Sequence, residues 1–315
     1  MPRLREVGGE LRNPKCRSKE LLDKGAAMIL VTGAAGNNGQ AAVRELSRQS
    51  VKVRALVREA SKATAISDLA NVEVVQGDMQ KPETLSGALD GVERALLISS
   101  ATPAMYDTQC TFIDAAKAAG VRHVVKFSGK ESSIGFNPDN FSFTRMHAQV
   151  EHYLEASRLD WTHIRPSQFM QVYLREAPSI ASRGVLSLAA GDIDLSPIDI
   201  QDIAKICFWV LTTDGNEGQA YEMTGPQALS MPDIAAIISD IVGKPVRYES
   251  VTPEQKREGQ LAAGLPPALV DALYDQAIER LAHPRSRVFL ETHEKFGVEP
   301  TRFADFIQRH NKQFA

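Results

Sequence analysis

The feature that most constrains this chain is the run Gly33-Ala34-Ala35-Gly36-Asn37-Asn38-Gly39, set between the apolar Met28-Ile29-Leu30-Val31-Thr32 and a helical pattern from Gly39 through Leu46. Position matters more than the letters. Glycines at a strand-to-helix turn permit a tight bend, let backbone approach a pyrophosphate closely and allow the helix to pack on the strand. The helix N-terminus adds free N–H donors and a partial positive charge. The GxxGxxG spacing in this context predicts a dinucleotide-binding turn, with a merely structural turn as the alternative.

The chain beyond Leu46 keeps the same rhythm. Val51 to Val57 and Val72 to Val75 read as strands, with a helix expected over Ala60 to Ala70 between them. Lys81-Pro82-Glu83 opens a helix through Leu89, and Ala95 to Ile98 is a fourth strand. A helix from about Tyr106 to Ala119 leads to a fifth strand at Val124 to Phe127, then a helix from about Phe143 to Ser157 and a strand at Trp161 to Ile164. Strand and helix in alternation, with near-continuous apolar strands, imply an α/β fold: a Rossmann-type doubly wound parallel sheet covered on both faces.

After Pro166 the pattern is irregular, with short strand-like pieces at Gly184 to Leu188 and Ile193 to Pro197 and a strong helix over Asp199 to Leu211. Tyr221 to Met223 and Val246 to Val251 read as strands, Met231 to Val242 as a helix, and the rest is mainly helical. The expected organisation is an extension over 1–27, a dinucleotide-binding domain over 28–180 and a smaller, mostly helical cap over 181–315 that partly shares the sheet. The first 27 residues mix Arg, Lys, Glu and Gly without apolar periodicity, which predicts a disordered extension or a misassigned start with Met28 as the true one.

Composition removes several classes of function. The net charge is −3, so there is no basic footprint for nucleic acid. No stretch approaches the ~18 apolar residues of a spanning helix, and no membrane role is expected. Cys16, Cys110 and Cys207 are far apart and outside any CxxC or Cys/His pattern, which fits reduced thiols in a cytoplasmic protein and no metal site. Homodimerisation is a default expectation, since closed two-fold dimers are the commonest oligomers.

The second strand ends at Val57-Arg58, where a domain that prefers NAD usually carries an acidic residue for the ribose 2′-hydroxyl. A guanidinium there can fork onto a 2′-phosphate, with Ser61 or Lys62 assisting, so NADPH is the expected cofactor with NADH also possible. A solvated Arg58 beside Glu59 is the other reading. Asp78, at the end of the third strand, reads equally as an acceptor for the adenine amino group or as a helix cap before Lys81-Pro82. Ser99, Ser100 and Ser128 stand at strand ends, the side on which open α/β sheets bind ligands.

A carbonyl-reducing enzyme of this architecture places Tyr-x-x-x-Lys on the helix after the fifth strand. Here Phe143 and His147 take those positions, so no phenol donates a proton and no catalytic residue is assigned. His147 and Glu151 share a helix face. His147 reads as a contact to the nicotinamide ribose, as an acid, or as an ordinary helix histidine. Lys126 is expected to reach the sheet end rather than to be catalytic.

These motifs, with Trp161-Thr162-His163-Ile164-Arg165-Pro166-Ser167-Gln168-Phe169-Met170, Asp199-Ile200-Gln201-Asp202 and Tyr221-Glu222-Met223-Thr224-Gly225-Pro226, resemble the NmrA-like family of atypical short-chain dehydrogenases over residues 28–314. That resemblance implies that Arg58 meets the 2′-phosphate, that Asp78 meets adenine and that Phe169-Met170-Gln171 lines the nicotinamide end. It also implies frequent loss of the catalytic tyrosine, and relatives that reduce quinones or azo dyes or act as redox-sensing regulators. Several relatives have Lys at the position of His147 and many have Asn at that of Val172. The expected cofactor-binding set is Gly33, Ala35, Gly36, Asn37, Asn38, Gly39, Arg58, Asp78, Met79, Ser99, Ser100, His147, Phe169 and Met170. The expected activity is hydride transfer from NAD(P)H to a quinone, azo or similar conjugated acceptor. Phe136, Phe141, Phe169, Met170 and Tyr173 are candidates for the acceptor slot, and a non-catalytic NADP(H) sensor acting through a protein partner is the alternative.

Overall fold

Short apolar runs become the strands of a parallel sheet in the computed structural model, which describes residues 27–129, 135–283 and 285–315. The extension expected over 1–27 lies outside the described residues apart from Ala27. Strands β1 (Met28–Val31), β2 (Val53–Val57), β3 (Val72–Gln76), β4 (Val92–Leu97), β5 (His123–Phe127) and β6 (Asp160–Pro166) alternate with helices. The main helices there are α1 (Asn37–Arg48), α2 (Ser86–Leu89), α3 (Met105–Ala118) and α4 (Ser142–Ala156).

Beyond them come α5 (Ala177–Arg183), β7 (Val185–Leu188), β8 (Asp194–Leu195), α6 (Ile200–Thr212), β9 (Gln219–Met223), β10 (Leu229–Ser230), α7 (Met231–Val242), β11 (Arg247–Ser250), α8 (Pro253–Ala262), α9 (Pro267–Leu281), α10 (Glu291–Phe296) and α11 (Phe303–Phe314).

The main sheet has seven strands in the order β3-β2-β1-β4-β5-β6-β9, and every pairing in it is parallel. Strand order reverses between β1 and β4, where a doubly wound sheet opens its ligand crevice. The period of two then sorts side chains to two cores. Ile29, Val31, Val53, Ala55, Leu96 and Val125 face a core shared with α1 and α6, while Leu30, Leu56, Ala95, Leu97 and Val124 face the core under α3 and α4. A third core, of Met170, Tyr173, Ile180, Leu186, Ile234, Phe303 and Phe306 among others, joins α5, α7 and α11.

Two differences from the sequence expectation have clear causes. The helix expected over Ala60 to Ala70 shrinks to a 3-10 helix at Ala60–Ala63 followed by turns. Ser61, Thr64, Ser67 and Asp68 offer the backbone local alternatives there, and Ser67 Oγ does bond the Thr64 carbonyl, at 3.4 Å. β9, which by sequence stood with the C-terminal region, is the edge strand of the main sheet beside β6.

Candidate functional site

The crossover from β1 to β4 is tied by Thr32, whose Oγ1 donates to the Ile98 carbonyl at 2.7 Å and accepts from the Ile98 N–H at 2.8 Å. Gly33 comes next at φ +57°, and a Cβ there would stand 2.9 Å from that same Ile98 oxygen. Both the backbone conformation and the closeness of β4 therefore require glycine. Gly36 N donates to Gly33 O at 3.0 Å and Gln40 Nε2 to Ala35 O at 2.8 Å, which closes the turn. Gly36 is the N-cap residue of α1, and no side chain caps the helix or places an acid in its first turn. The leading N–H groups of a twelve-residue helix thus face outward with their partial positive charge unmatched.

A cleft of about 740 Å³ opens above this turn. It is lined by Gly33, Ala35, Gly36, Asn37, Asn38, Gly39, Arg58, Asp78, Met79, Ser99, Ser100 and Phe169 from the expected set. His147 and Met170 fall outside that lining. The physical reason for Met170 is the 3-10 helix Met170–Arg175, in which positions three apart share a face. Met170 and Tyr173 turn together into the third core, at 1% and 0% exposure, while Gln171, Val172, Leu174 and Arg175 turn to the cleft.

His147 is half-buried, and its Nδ1 is held by Lys126 Nζ at 2.9 Å. Its pKa lies well below the ordinary histidine range because burial and the Lys126 charge both oppose a second proton. Glu151, one turn on, is 3% exposed and takes a two-pronged bond from Arg165, with Nε to Oε1 at 3.0 Å and Nη2 to Oε2 at 2.7 Å. Burial pushes the Glu151 carboxyl up, but the bonds from Arg165 and Ser128 and the nearby charges hold it below the usual range. Ser128 is fully buried against Glu151 and does not face the cleft as its place at a strand end suggested.

At the other wall Gly77 leaves room for Leu56, whose Cδ1 would lie 2.9 Å from a Cβ. Asp78 Oδ1 accepts from Gln80 N at 3.0 Å, an Asx turn, while the residue itself lines the cleft. Lys62 pairs with Glu59 at 2.8 Å on the exposed rim beside Arg58. The five residues considered for an acceptor slot are not one group. Phe169 packs edge-on against Phe127 at 6.1 Å at the cleft, whereas Phe136, Phe141 and Phe143 form a separate edge-to-face chain near α9.

Sequence reasoning missed Ile98, Thr102, Thr108, Leu174, Arg175 and Ile200 in the lining. Ile198 accepts from Met170 N at 2.8 Å, which brings the start of α6 to the cleft. No local signal announces that approach. Among the described residues no group of three or more His, Cys, Asp or Glu is placed to hold a metal ion, and no helix is long and apolar enough to cross a membrane.

Comparison with known proteins agrees with this geometry. The chain is 36% identical over 290 residues to an NAD(P)H azoreductase of Xenophilus azovorans, an alignment covering 91% of this chain and 99% of that protein. It is 31% identical over 254 residues to quinone oxidoreductase 2 of Escherichia coli, covering 80% and 87%. The crystal structure of an NADPH-dependent quinone oxidoreductase from Escherichia coli in complex with NADPH superposes with a TM-score of 0.79 at 28% identity, over 90% of this chain and 100% of that one. The sequence model of the NmrA-like family matches residues 26–304, and with the glycine turn, the switch-point cleft and these relatives it establishes that the chain belongs to the NmrA-like family.

Proposed function

We propose that this chain is an NAD(P)H-dependent oxidoreductase, with NADPH preferred, that passes hydride to a quinone, azo or similar conjugated small molecule. The observation that carries this reading is the continuity of the cleft. One cavity is lined by the uncapped end of α1, by Arg58 and Asp78, and by Phe169, Val172 and Leu174 with Gln171 and Arg175. It offers helix N–H groups and Arg58 for phosphates and the apolar side chains Phe169, Val172 and Leu174 for a flat acceptor in the same space. The relatives named as an azoreductase and a quinone oxidoreductase support the acceptor class.

The residues present fit the cofactor. The turn is free of Cβ atoms at Gly33, Gly36 and Gly39, and Asn38 Oδ1 is buried without a hydrogen-bond partner. In this reading the N–H groups of α1 hold the pyrophosphate, Arg58 the 2′-phosphate and Asp78 with Met79 the adenine. Ser99 and Ser100 border the nicotinamide end, where Ser99 Oγ already accepts from Gln109 Nε2 at 2.7 Å. The reduced nicotinamide supplies the hydride when bound. Phe169, Val172 and Leu174 orient the acceptor and keep water from it, so positioning supplies much of the rate. A homodimer and a cytoplasmic location belong to the same proposal. The free, buried thiols of Cys110 and Cys207 support a reducing compartment, and light scattering reads the oligomeric state.

The test is oxidation of NADPH and NADH with a panel of quinones and azo dyes, beside direct titration of both cofactors. Acceptor-dependent oxidation that disappears in Gly36→Asp is expected. Tight NADPH binding with no turnover on any acceptor overturns the reductase and leaves a cofactor-binding sensor.

A further inference from the structure

Hydride transfer to a quinone leaves an anion, and the position of the usual donor phenol holds Phe143. Lys126 lies on the β5 face that packs under α4, at 0% exposure, and its side chain makes two described hydrogen bonds. One is a long contact of 3.5 Å to its neighbour's carbonyl, Phe127 O, and the other is the 2.9 Å bond to His147 Nδ1. An ammonium has donors only, so Nδ1 accepts and the imidazole proton sits on Nε2. That Nε2 comes out beside exposed Gly129, just past the C-terminal end of β5, where a Cβ would stand 2.5 Å from it. Glycine there leaves room for the imidazole edge, which lies where a Cβ would be. β5 adjoins β4, whose end at Ile98, Ser99 and Ser100 is a wall of the cleft.

We propose that Lys126 and His147 form a proton relay to the reduced acceptor, with Lys126 the buried proton source and His147 the carrier that delivers at the rim of the sheet. The inference rests on the reductase reading above. Hydride from NADPH takes both electrons to the quinone and leaves the hydroquinone monoanion. The Nε2 proton of His147 moves to the anionic oxygen as an Nζ proton of Lys126 moves to Nδ1. Neutral amine, neutral imidazole, NADP+ and hydroquinone result, and one proton from solvent restores the pair.

The environment suits that cycle. Burial pushes Lys126 down to about 7, against the pull of Glu151 and with a push from Arg165. The groups that face it are Cys110 from α3, His147 and Glu151 from α4, and His163 and Arg165 from β6, while β4 sets only Leu97 at its paired position. His147 stays neutral and therefore passes protons without storing one. Lys126 acts through His147 and is a positioning and supply residue, since it is fully buried and lies outside the cleft lining.

Two measurements test the relay. In 15N-histidine-labelled protein without cofactor, His147 is expected as the Nε2–H tautomer, with an Nδ1 shift that moves as Lys126 titrates near pH 7 and stops moving in Lys126→Met. An Nδ1 signal indifferent to pH and to that substitution overturns it. In turnover with NADPH and a quinone, kcat of the native chain is expected to fall as pH rises through about 7. Lys126→Met and His147→Gln, the latter keeping an acceptor for Lys126 but unable to pass a proton, are expected to lose about 10²-fold in kcat, keep the KM for NADPH and lose that pH limb. Variants that turn over with the native pH profile overturn the relay alone. A native chain with no turnover on any acceptor overturns the reductase reading and the relay with it.

Discussion

Gly39 lies so close to Gly33 that a Cβ on it would stand 2.3 Å from the Gly33 carbonyl oxygen and 2.7 Å from Ala34 Cα. Both neighbours are backbone and cannot move aside. Gly39→Ala is therefore expected to displace α1 and cost about 3 kcal/mol, at the top of the range for over-packing. Gly36 differs, at φ −82° with its nearest neighbour for a Cβ at 3.4 Å. Gly36→Ala should cost about 1 kcal/mol, since alanine is a poorer N-cap than glycine, yet weaken NADPH binding at least about tenfold because in the proposed binding mode the methyl group stands where the pyrophosphate approaches. Urea melts and cofactor titrations of the two variants separate the structural glycine from the binding one, and equal cofactor affinity of Gly36→Ala and the native chain would count against the assigned pyrophosphate site.

Arg58 is exposed at the cleft, and its neighbour Glu59 is engaged with Lys62. Arg58→Ala is expected to raise the KM for NADPH about tenfold, roughly 1.4 kcal/mol, and to leave that for NADH within twofold. A parallel loss for both cofactors would place the 2′-phosphate elsewhere.

Glu151 is buried and satisfied by Arg165, so removing the guanidinium strands a carboxylate. Arg165→Met is expected to destabilise by about 3–5 kcal/mol, and adding Glu151→Gln to it to recover a large part of that loss. Chemical denaturation of the single and double variants reads both values.

His123 is fully buried, its Nε2 is 2.9 Å from Thr162 Oγ1, and burial with help from Arg94 pushes its pKa down to about 4. The unfolded chain takes up this proton near the ordinary value of about 6.5, and the folded chain does so only near 4. The stabilisation is thus present in full above about pH 6.5 and is lost as pH falls toward 4, on the order of 3 kcal/mol across that window. His147, His163 and His293 are also depressed and act with the same sign. Urea midpoints at pH 7 and 4.5 should differ less in His123→Gln than in the native chain.

Most of the architecture is legible along the chain because its signals are local. The apolar runs around Leu30, Leu56, Leu96 and Val125, each followed by a helical period, already call for parallel strands under helices. Gly33 and Gly39 announce a turn that no other residue fits. The cleft is legible for the same reason, since Arg58, Asp78 and Ser99 stand at strand ends a few residues beyond a readable strand. Met170 is hidden from such reading. A run of six residues, Met170–Arg175, gives no period by which to tell a 3-10 helix from an extended liner, and that geometry decides which side chains face the cleft.

What the sequence by itself determined is therefore most of the elements from β1 to β6, the parallel character of their sheet and the glycine turn, all products of backbone sterics and of apolar spacing within about a dozen residues. Tertiary structure alone decided which distant groups meet. It seated β9 against β6, closed the cleft with Ile200 and joined Lys126 to His147 across 21 residues of chain. A buried amine has no preference for one partner until packing removes water and brings an acceptor within reach, so the bond to His147 belongs to the fold and to no local pattern.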